Sequence, residues 1–175
     1  MLKQLPKYKE SVIIRSREPS ELEKCDIVVD VGGVYDPSKN RFDHHQRTFT
    51  ETFSSINPVK PWKIKLSSAG LIYVHFGRQI IEEIVKKLTK SDKIEEKLVN
   101  ILEDKMYEQF VREIDAIDNG VEIAEIRKYD ITTNLSSRVS YLNPNWNDTD
   151  LNENVLLINL YCLFIIIERI NFIIT

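Results

Sequence analysis

Cysteine is scarce in this chain. Its two cysteines, Cys25 and Cys162, stand far apart in 175 residues and without C-x-x-C spacing. That excludes a disulfide framework and a thiolate zinc site, and reads as a reduced intracellular protein. A basic excess is missing too: 24 Lys and Arg face 27 Asp and Glu, for a net charge of −3. A protein that coats nucleic acid by charge needs a strong positive excess, so any nucleic-acid contact here must be local. No uninterrupted apolar run reaches the roughly 20 residues of a membrane span. Residues 155–175 are dense in Ile and Leu, but Asn159, Glu168, Arg169 and Asn171 interrupt them. A buried helix or strand is expected there, or a segment foreign to the rest of the fold, and no membrane partner is expected. The first 26 residues mix Lys3, Lys7, Lys9, Arg15 and Arg17 with Glu10, Glu18, Glu21 and Glu23, which fits neither a signal peptide nor an acid-poor transit peptide. Internal repeats and low-complexity linkers are also absent.

What remains is enough for one core, since the chain is 42% hydrophobic and a domain of this size removes roughly two-thirds of its unfolded surface from water. Residues 11–17 carry Val12, Ile13 and Ile14 and predict a short strand, with a turn or one helical loop at Pro19 and Glu21. Ile27-Val28-Val29 is a continuous apolar run, the pattern of a strand covered on both faces in a parallel sheet. Asp30 follows directly, then Gly32 and Gly33, which places its carboxylate beyond a strand's carboxyl end, where open α/β sheets bind ligands. Residues 36–40 read as a turn, and residues 48–65, with Pro58 and Pro61, as a functional loop too polar and broken for an element.

Ser67 or Ser68 is expected to cap a helix running to about Leu88, with Ile72, Phe76, Ile80 and Ile84 on its apolar face. A second helix is predicted from a Ser91 or Asp92 cap toward Ile117, with a possible break, an apolar stripe of Met106, Phe110, Ile114 and Ile117, and a stop at Gly120. Residues 132–142 read as a short capped helix ended by Asn143-Pro144.

The chemistry concentrates at Asp43-His44-His45. Oxygen ligands with one or two imidazoles suit Mn²⁺ or Mg²⁺. A lone Asp after a strand is ordinarily a turn cap, yet two adjacent imidazoles beside a carboxylate have little packing value and much ligand value. Side chains alternate along an extended segment, so both histidines reach one metal only through a kink. His44 is therefore assigned to the metal and His45, with Asp43, to catalysis at the leaving oxygen or scissile phosphate. Asp115 and Asp118 are three apart on a helix face shared with Val111. They read either as a solvated acidic helix end or, beside the histidines, as a further metal arm with Asp30. Between these segments Lys39, Arg41, Arg47, Lys60, Lys63 and Lys65 outnumber Asp43 and Glu51, with Phe42, Phe49, Phe53 and Trp62 interleaved. Basic groups with aromatics suggest a single-strand groove, whereas the bland reading is a solvated loop. Arg41, Arg47, Trp62 and Lys65 are the candidate substrate contacts. Ser67-Ser68-Ala69-Gly70 reads as an N-cap, or as a phosphate cradle in which Ser68 takes part. His75 is expected to be a packed helix histidine.

These motifs resemble the melanocyte-proliferating-gene exonuclease family, related to the DHH phosphoesterase superfamily. The resemblance rests on Val29-Asp30-Val31-Gly32-Gly33, Tyr35-Asp36-Pro37, Phe42-Asp43-His44-His45-Gln46-Arg47, Lys60-Pro61-Trp62, Leu66-Ser67-Ser68-Ala69-Gly70, Glu113-Ile114-Asp115-Ala116-Ile117-Asp118-Asn119-Gly120 and Leu142-Asn143-Pro144-Asn145-Trp146. It covers about residues 5–146. It implies an α/β DHH-type domain with a mainly parallel sheet flanked by helices. Asp30, His44 and one of Asp115 or Asp118 would hold a Mn²⁺ or Mg²⁺ pair. The implied activity is 3′-5′ RNA exonuclease in nucleus and mitochondrion, with single-stranded nucleic acid as partner.

The family's His-x-Gly-x-Phe-His-x-Asp-Glu segment would precede Met1, and its long C-terminal part would follow. The expectation is thus a truncated form: residues 1–150 a partial DHH-like phosphoesterase domain, incomplete at both ends, and residues 151–175 a divergent apolar segment. Two alternatives stand beside the exonuclease. One is a hydrolase of a small phosphoester such as pyrophosphate or a short dinucleotide. The other is a non-catalytic remnant that binds RNA or a partner through an exposed sheet edge.

Overall fold

A computed structural model describes residues 1–140, and the chain divides into two units, Met1–Val121 and Glu122–Thr175. In the first unit a small mixed sheet and five α-helices form an α/β fragment. After a single turn of helix, α1 (Pro19–Leu22), come β1 (Val28–Val29), β2 (Tyr35–Asp36) and β3 (Arg41–Phe42). The sheet order is β1-β3-β2, with β1 parallel to β3 and β2 antiparallel to it. The expected mainly parallel sheet is therefore one parallel and one antiparallel pairing. The hairpin from β2 to β3 is what the turn at residues 36–40 makes: Asp36 caps it through the Ser38 amide, and Asn40 takes the left-handed conformation at φ 54°.

Val12, Ile13 and Ile14 form no strand. They lie exposed at 84%, 69% and 62%. β-branched residues favour strands only when a neighbouring strand takes up their backbone groups, and among the described residues none does. The segment at residues 48–65 also departs from expectation. It holds α2 (Phe53–Ile56), opened by a reciprocal capping box in which the Thr52 and Ser55 side chains each accept the other's backbone N–H. Phe53 drops from this turn into the core at 2% exposure.

The long helix α3 (Ser68–Thr89) follows the sequence pattern closely, with Ser67 as its N-cap accepting the Gly70 N–H. Ile72, Ile80 and Ile84 are buried on one face. The second predicted helix is three pieces: α4 (Glu96–Met106), a π-helical turn (Tyr107–Val111) and α5 (Arg112–Asp118). It begins later than Ser91, whose hydroxyl instead accepts the Lys93 N–H in a local turn. The apolar stripe also shifts. Beyond Leu102 the buried line runs through Tyr107, Val111 and Asp115, while Met106, Phe110, Ile114 and Ile117 are only partly covered. The step from Leu102 to Tyr107 is five residues, just ahead of the π turn, and a regular 3.6-residue count misses it.

The core joins Phe42, Phe49 and Phe53 to Leu71, Tyr73 and Val85 of α3 and to Val99, Leu102 and Tyr107. Gly120, at φ 66°, ends α5 as expected. In the second unit α6 (Leu135–Ser140) lies where a short helix was predicted. The predicted stop at Asn143-Pro144 and the apolar segment at residues 155–175 lie outside the described residues. Among the described residues no helix is long and apolar enough to cross a membrane.

Candidate metal centre

The site is built where β1 and β3 end side by side. Asp30 leaves β1 at φ 65°, a left-handed conformation that is uncommon for a residue with a side chain. Its backbone N–H still bonds Phe42 O at 3.1 Å, which locks the two strand ends together. Gly32 and Gly33 then turn the chain at φ 94° and 65°, and the Gly33 N–H donates to Asp43 Oδ2 at 2.7 Å. Only a residue free to take positive φ brings that amide round to the carboxylate.

Asp43 is buried at 2% exposure. Its other oxygen accepts the His45 backbone N–H at 3.1 Å and His45 Nδ1 at 2.6 Å. This Asx turn kinks the segment, so the alternation expected to turn the two histidines to opposite faces does not hold here. The His44 and His45 rings consequently lie 4.2 Å apart at 37°, on the same side of the chain. His44 is buried and His45 open, with side chains 6% and 59% exposed. Asp30 Oδ1 lies 3.7 Å from His44 Nδ1 and 4.0 Å from His45 Nδ1. One donor atom from each of Asp30, Asp43, His44 and His45 falls within 4.8 Å of the others. Hard carboxylate oxygens with imidazole nitrogens suit a divalent cation such as Mn²⁺ or Mg²⁺.

The charges are tuned by this arrangement. Burial works against ionising Asp43, but hydrogen bonds from the His45 ring and the Gly33 and His45 amides outweigh it and hold the carboxyl below its usual range. His45 moves the other way: its bond to Asp43 outweighs its burial, and the charges of Asp43, Asp30 and Asp118 add to the upward shift. The pair thus favours carboxylate and imidazolium together.

Asp115 and Asp118 separate. Asp118 Oδ2 lies 3.2 Å from His44 Nε2. Asp115 is fully buried away from the donor cluster, where it accepts Ser67 N–H at 2.9 Å, Ser67 Oγ–H at 2.7 Å and Tyr107 O–H at 2.9 Å. Burial pushes its carboxyl upward, against the pull of those donors. Both its oxygens are spent on the joint between α3 and α5, and Gly70 makes room for it: a Cβ there would lie 2.1 Å from Asp115 Oδ1.

The expected substrate contacts are placed differently. Ser68 is buried, its Oγ 2.9 Å and its N 3.1 Å from His44 Nδ1. The Ser68 and Gly70 amides at the start of α3 are taken by His44 Nδ1 and Ser67 Oγ, which leaves neither of them to a phosphate. The Arg41 guanidinium bonds the carbonyls of Leu22 and Lys39 and holds the loop around β1. Trp62 packs against Phe53 and Tyr107 at centroid distances of 5.3 and 4.8 Å. Phe42, Phe49 and Phe53 are buried, so these three build the core, with Trp62 half-buried against it. Lys60 pairs with Glu103 and Asp104, and Lys65 Nζ lies 5.6 Å over the Phe49 ring. Arg47 and Lys63 are exposed. His75, as expected, packs: its Nε2 meets Tyr35 Oη at 2.9 Å, burial lowers its pKa, and burial raises that of Tyr35 to about 12.

Sequence reasoning missed Tyr107 and the double role of Ser67. It also missed Gln46, whose side-chain nitrogen and oxygen are buried without a partner among the described residues. Only the Ser67 cap had a readable signal.

The family model named MYG1_exonuc and described as "Uncharacterised protein family (UPF0160)" matches residues 1–156. The chain belongs to this family. It is 54% identical over 152 residues to the MYG1 exonuclease of Homo sapiens, covering 86% of this chain and 39% of that protein. The bovine MYG1 exonuclease is 55% identical over 150 residues, with 84% and 38% covered. The MYG1 protein of Dictyostelium discoideum is 46% identical over 158 residues, with 89% and 44% covered. The chain thus spans about two-fifths of the length of these UPF0160 relatives. No solved structure matches it.

Proposed function

We propose that this chain carries the metal-holding part of a phosphodiesterase that acts as a 3′-5′ exonuclease on single-stranded RNA. The observation that carries the reading is the convergence of Asp30, Asp43, His44 and His45 at the ends of two adjacent strands. The mammalian relatives bear the name exonuclease, which supports a nucleic-acid polymer as substrate. Asp30, His44 and Asp118 are the residues that would hold Mn²⁺ or Mg²⁺. When bound, such an ion supplies Lewis-acid neutralisation of the phosphate and a more acidic attacking water. The remaining work falls to the chain. Asp43 fixes His45 through Nδ1 and favours its imidazolium, leaving Nε2 to give a proton to the departing oxygen. Arg47 and Lys63, exposed and basic, are the groups available to a phosphate backbone.

Burial of Phe42, Phe49 and Phe53 removes the aromatic platform that favoured a polymer, and this favours hydrolysis of a small phosphoester as a second reading. Degradation of a 5′-labelled single-stranded RNA with Mn²⁺, set beside hydrolysis of a short dinucleotide, tests both. The exonuclease reading expects a ladder receding from the 3′ end, with His45→Ala slowing turnover while metal affinity is kept. Cleavage of the dinucleotide alone transfers the function to the second reading.

A further inference from the structure

Ser68 offers His44 Nδ1 two partners of opposite kind. Its backbone N–H can only donate, and lies 3.1 Å away; its Oγ, able to donate or accept, lies 2.9 Å away. A neutral imidazole presents one lone pair at Nδ1 when the proton sits on Nε2. The N–H fills that lone pair, and the Nε2–H then points at Asp118 Oδ2, 3.2 Å off. In this tautomer the buried hydroxyl is surplus. It becomes the needed acceptor only when the proton sits on Nδ1, which is the tautomer that leaves the Nε2 lone pair free for a cation.

We infer that Ser68 is a positioning residue that serves both tautomers of His44, its N–H stabilising the metal-free ring and its Oγ the ligating one. The inference rests on the reading of His44 as a ligand. In the exchange one proton leaves Nε2 for solvent and one is taken up at Nδ1, so the ring stays neutral. Position is set from behind. Asp115 accepts both the N–H and the Oγ–H of Ser67, Tyr107 holds the second Asp115 oxygen, and Ser67 Oγ caps Gly70. The start of α3, with Ser68 on it, is therefore held by buried hydrogen bonds that face away from solvent.

Zn²⁺ is a suitable probe because it is diamagnetic and takes neutral imidazole. Long-range ¹H–¹⁵N spectra of the imidazoles, with Zn²⁺ titration by calorimetry, read tautomer and affinity separately in the full chain. Wild type is expected to hold His44 as the Nε2–H tautomer without metal and as Nδ1–H when loaded. Ser68→Ala keeps the N–H, so its metal-free tautomer is expected unchanged while Zn²⁺ affinity falls about tenfold. Ser68→Thr restores the hydroxyl and should restore affinity. Equal affinity in wild type and Ser68→Ala, or an Nδ1–H ring before any metal is added, overturns the inference while leaving the metal site standing. A wild type that binds no Zn²⁺ overturns both.

Discussion

Asp43 and His45 stabilise each other in opposite charge states, and this gives the residue-scale account a pH signature. Asp43 is held below its ordinary value of 3.8, so its contribution is present above 3.8 and lost as pH falls through the lowered folded value. His45 is held above 6.5, so its contribution is full below 6.5 and lost as pH rises through the raised folded value. The pair therefore contributes most between these limits. Asp43→Asn is expected to bring the His45 titration, followed by NMR, back toward its ordinary value and to flatten stability against pH above 6.5. A His45 titration unmoved by Asp43→Asn would contradict the pairing. The sequence made Asp30, Asp43, His44 and His45 legible as a group, because carboxylates and imidazoles have few packing reasons to be adjacent. It did not show which histidine is buried. That depends on Asp43 accepting the His45 amide, a local turn whose consequence appears only once Ser68 of a distant helix closes over His44.

At the scale of elements, the site depends on how α3 meets α5. Gly70 is the close approach: Gly70→Ala places a methyl 2.1 Å from the Asp115 carboxylate, and overpacking of this kind costs about 1–3 kcal/mol. Asp115→Ala should cost a similar amount by a different route, since the buried Ser67 N–H loses its acceptor at about 1–3 kcal/mol. Urea unfolding measures both, and a change under 0.5 kcal/mol in either, roughly the range of surface substitutions, would show that the joint is not buried as described. Helices were the readable part of the chain, because α3 repeats its apolar face over 22 residues behind a Ser67 cap. The sheet was not, since strands of two residues are too short to show alternation. The buried line is shifted by one residue where the π turn at Tyr107–Val111 begins, and periodicity carries no sign of such a turn.

For the molecule as a whole, the net charge of −3 means that the proposed nucleic-acid binding would fall to local exposed cations. Arg47→Ala is expected to weaken oligonucleotide binding across sequences and to reduce the salt slope by about one. A salt slope identical to wild type would remove Arg47 from the contact surface. Trp62→Ala should behave otherwise. Its ring packs on Phe53 and Tyr107, so about 2–3 kcal/mol of stability should be lost while the folded fraction binds RNA unchanged. The aromatic and basic mixture at residues 39–65 suggested a groove because sequence shows residue types and not their facing. Burial turned most of those aromatics inward.

The central claim is that Asp30, His44 and Asp118 hold a divalent cation while Asp115 serves the scaffold. Calorimetric titration of Mn²⁺ into the chain and four variants tests it most directly. Asp30→Asn, His44→Ala and Asp118→Asn are each expected to lower affinity at least about tenfold, the scale of losing an ordering contact at a metal site, whereas Asp115→Asn keeps affinity near that of wild type. Absence of Mn²⁺ binding by wild type, or loss in Asp115→Asn equal to that in Asp118→Asn with the fold intact, would contradict the account.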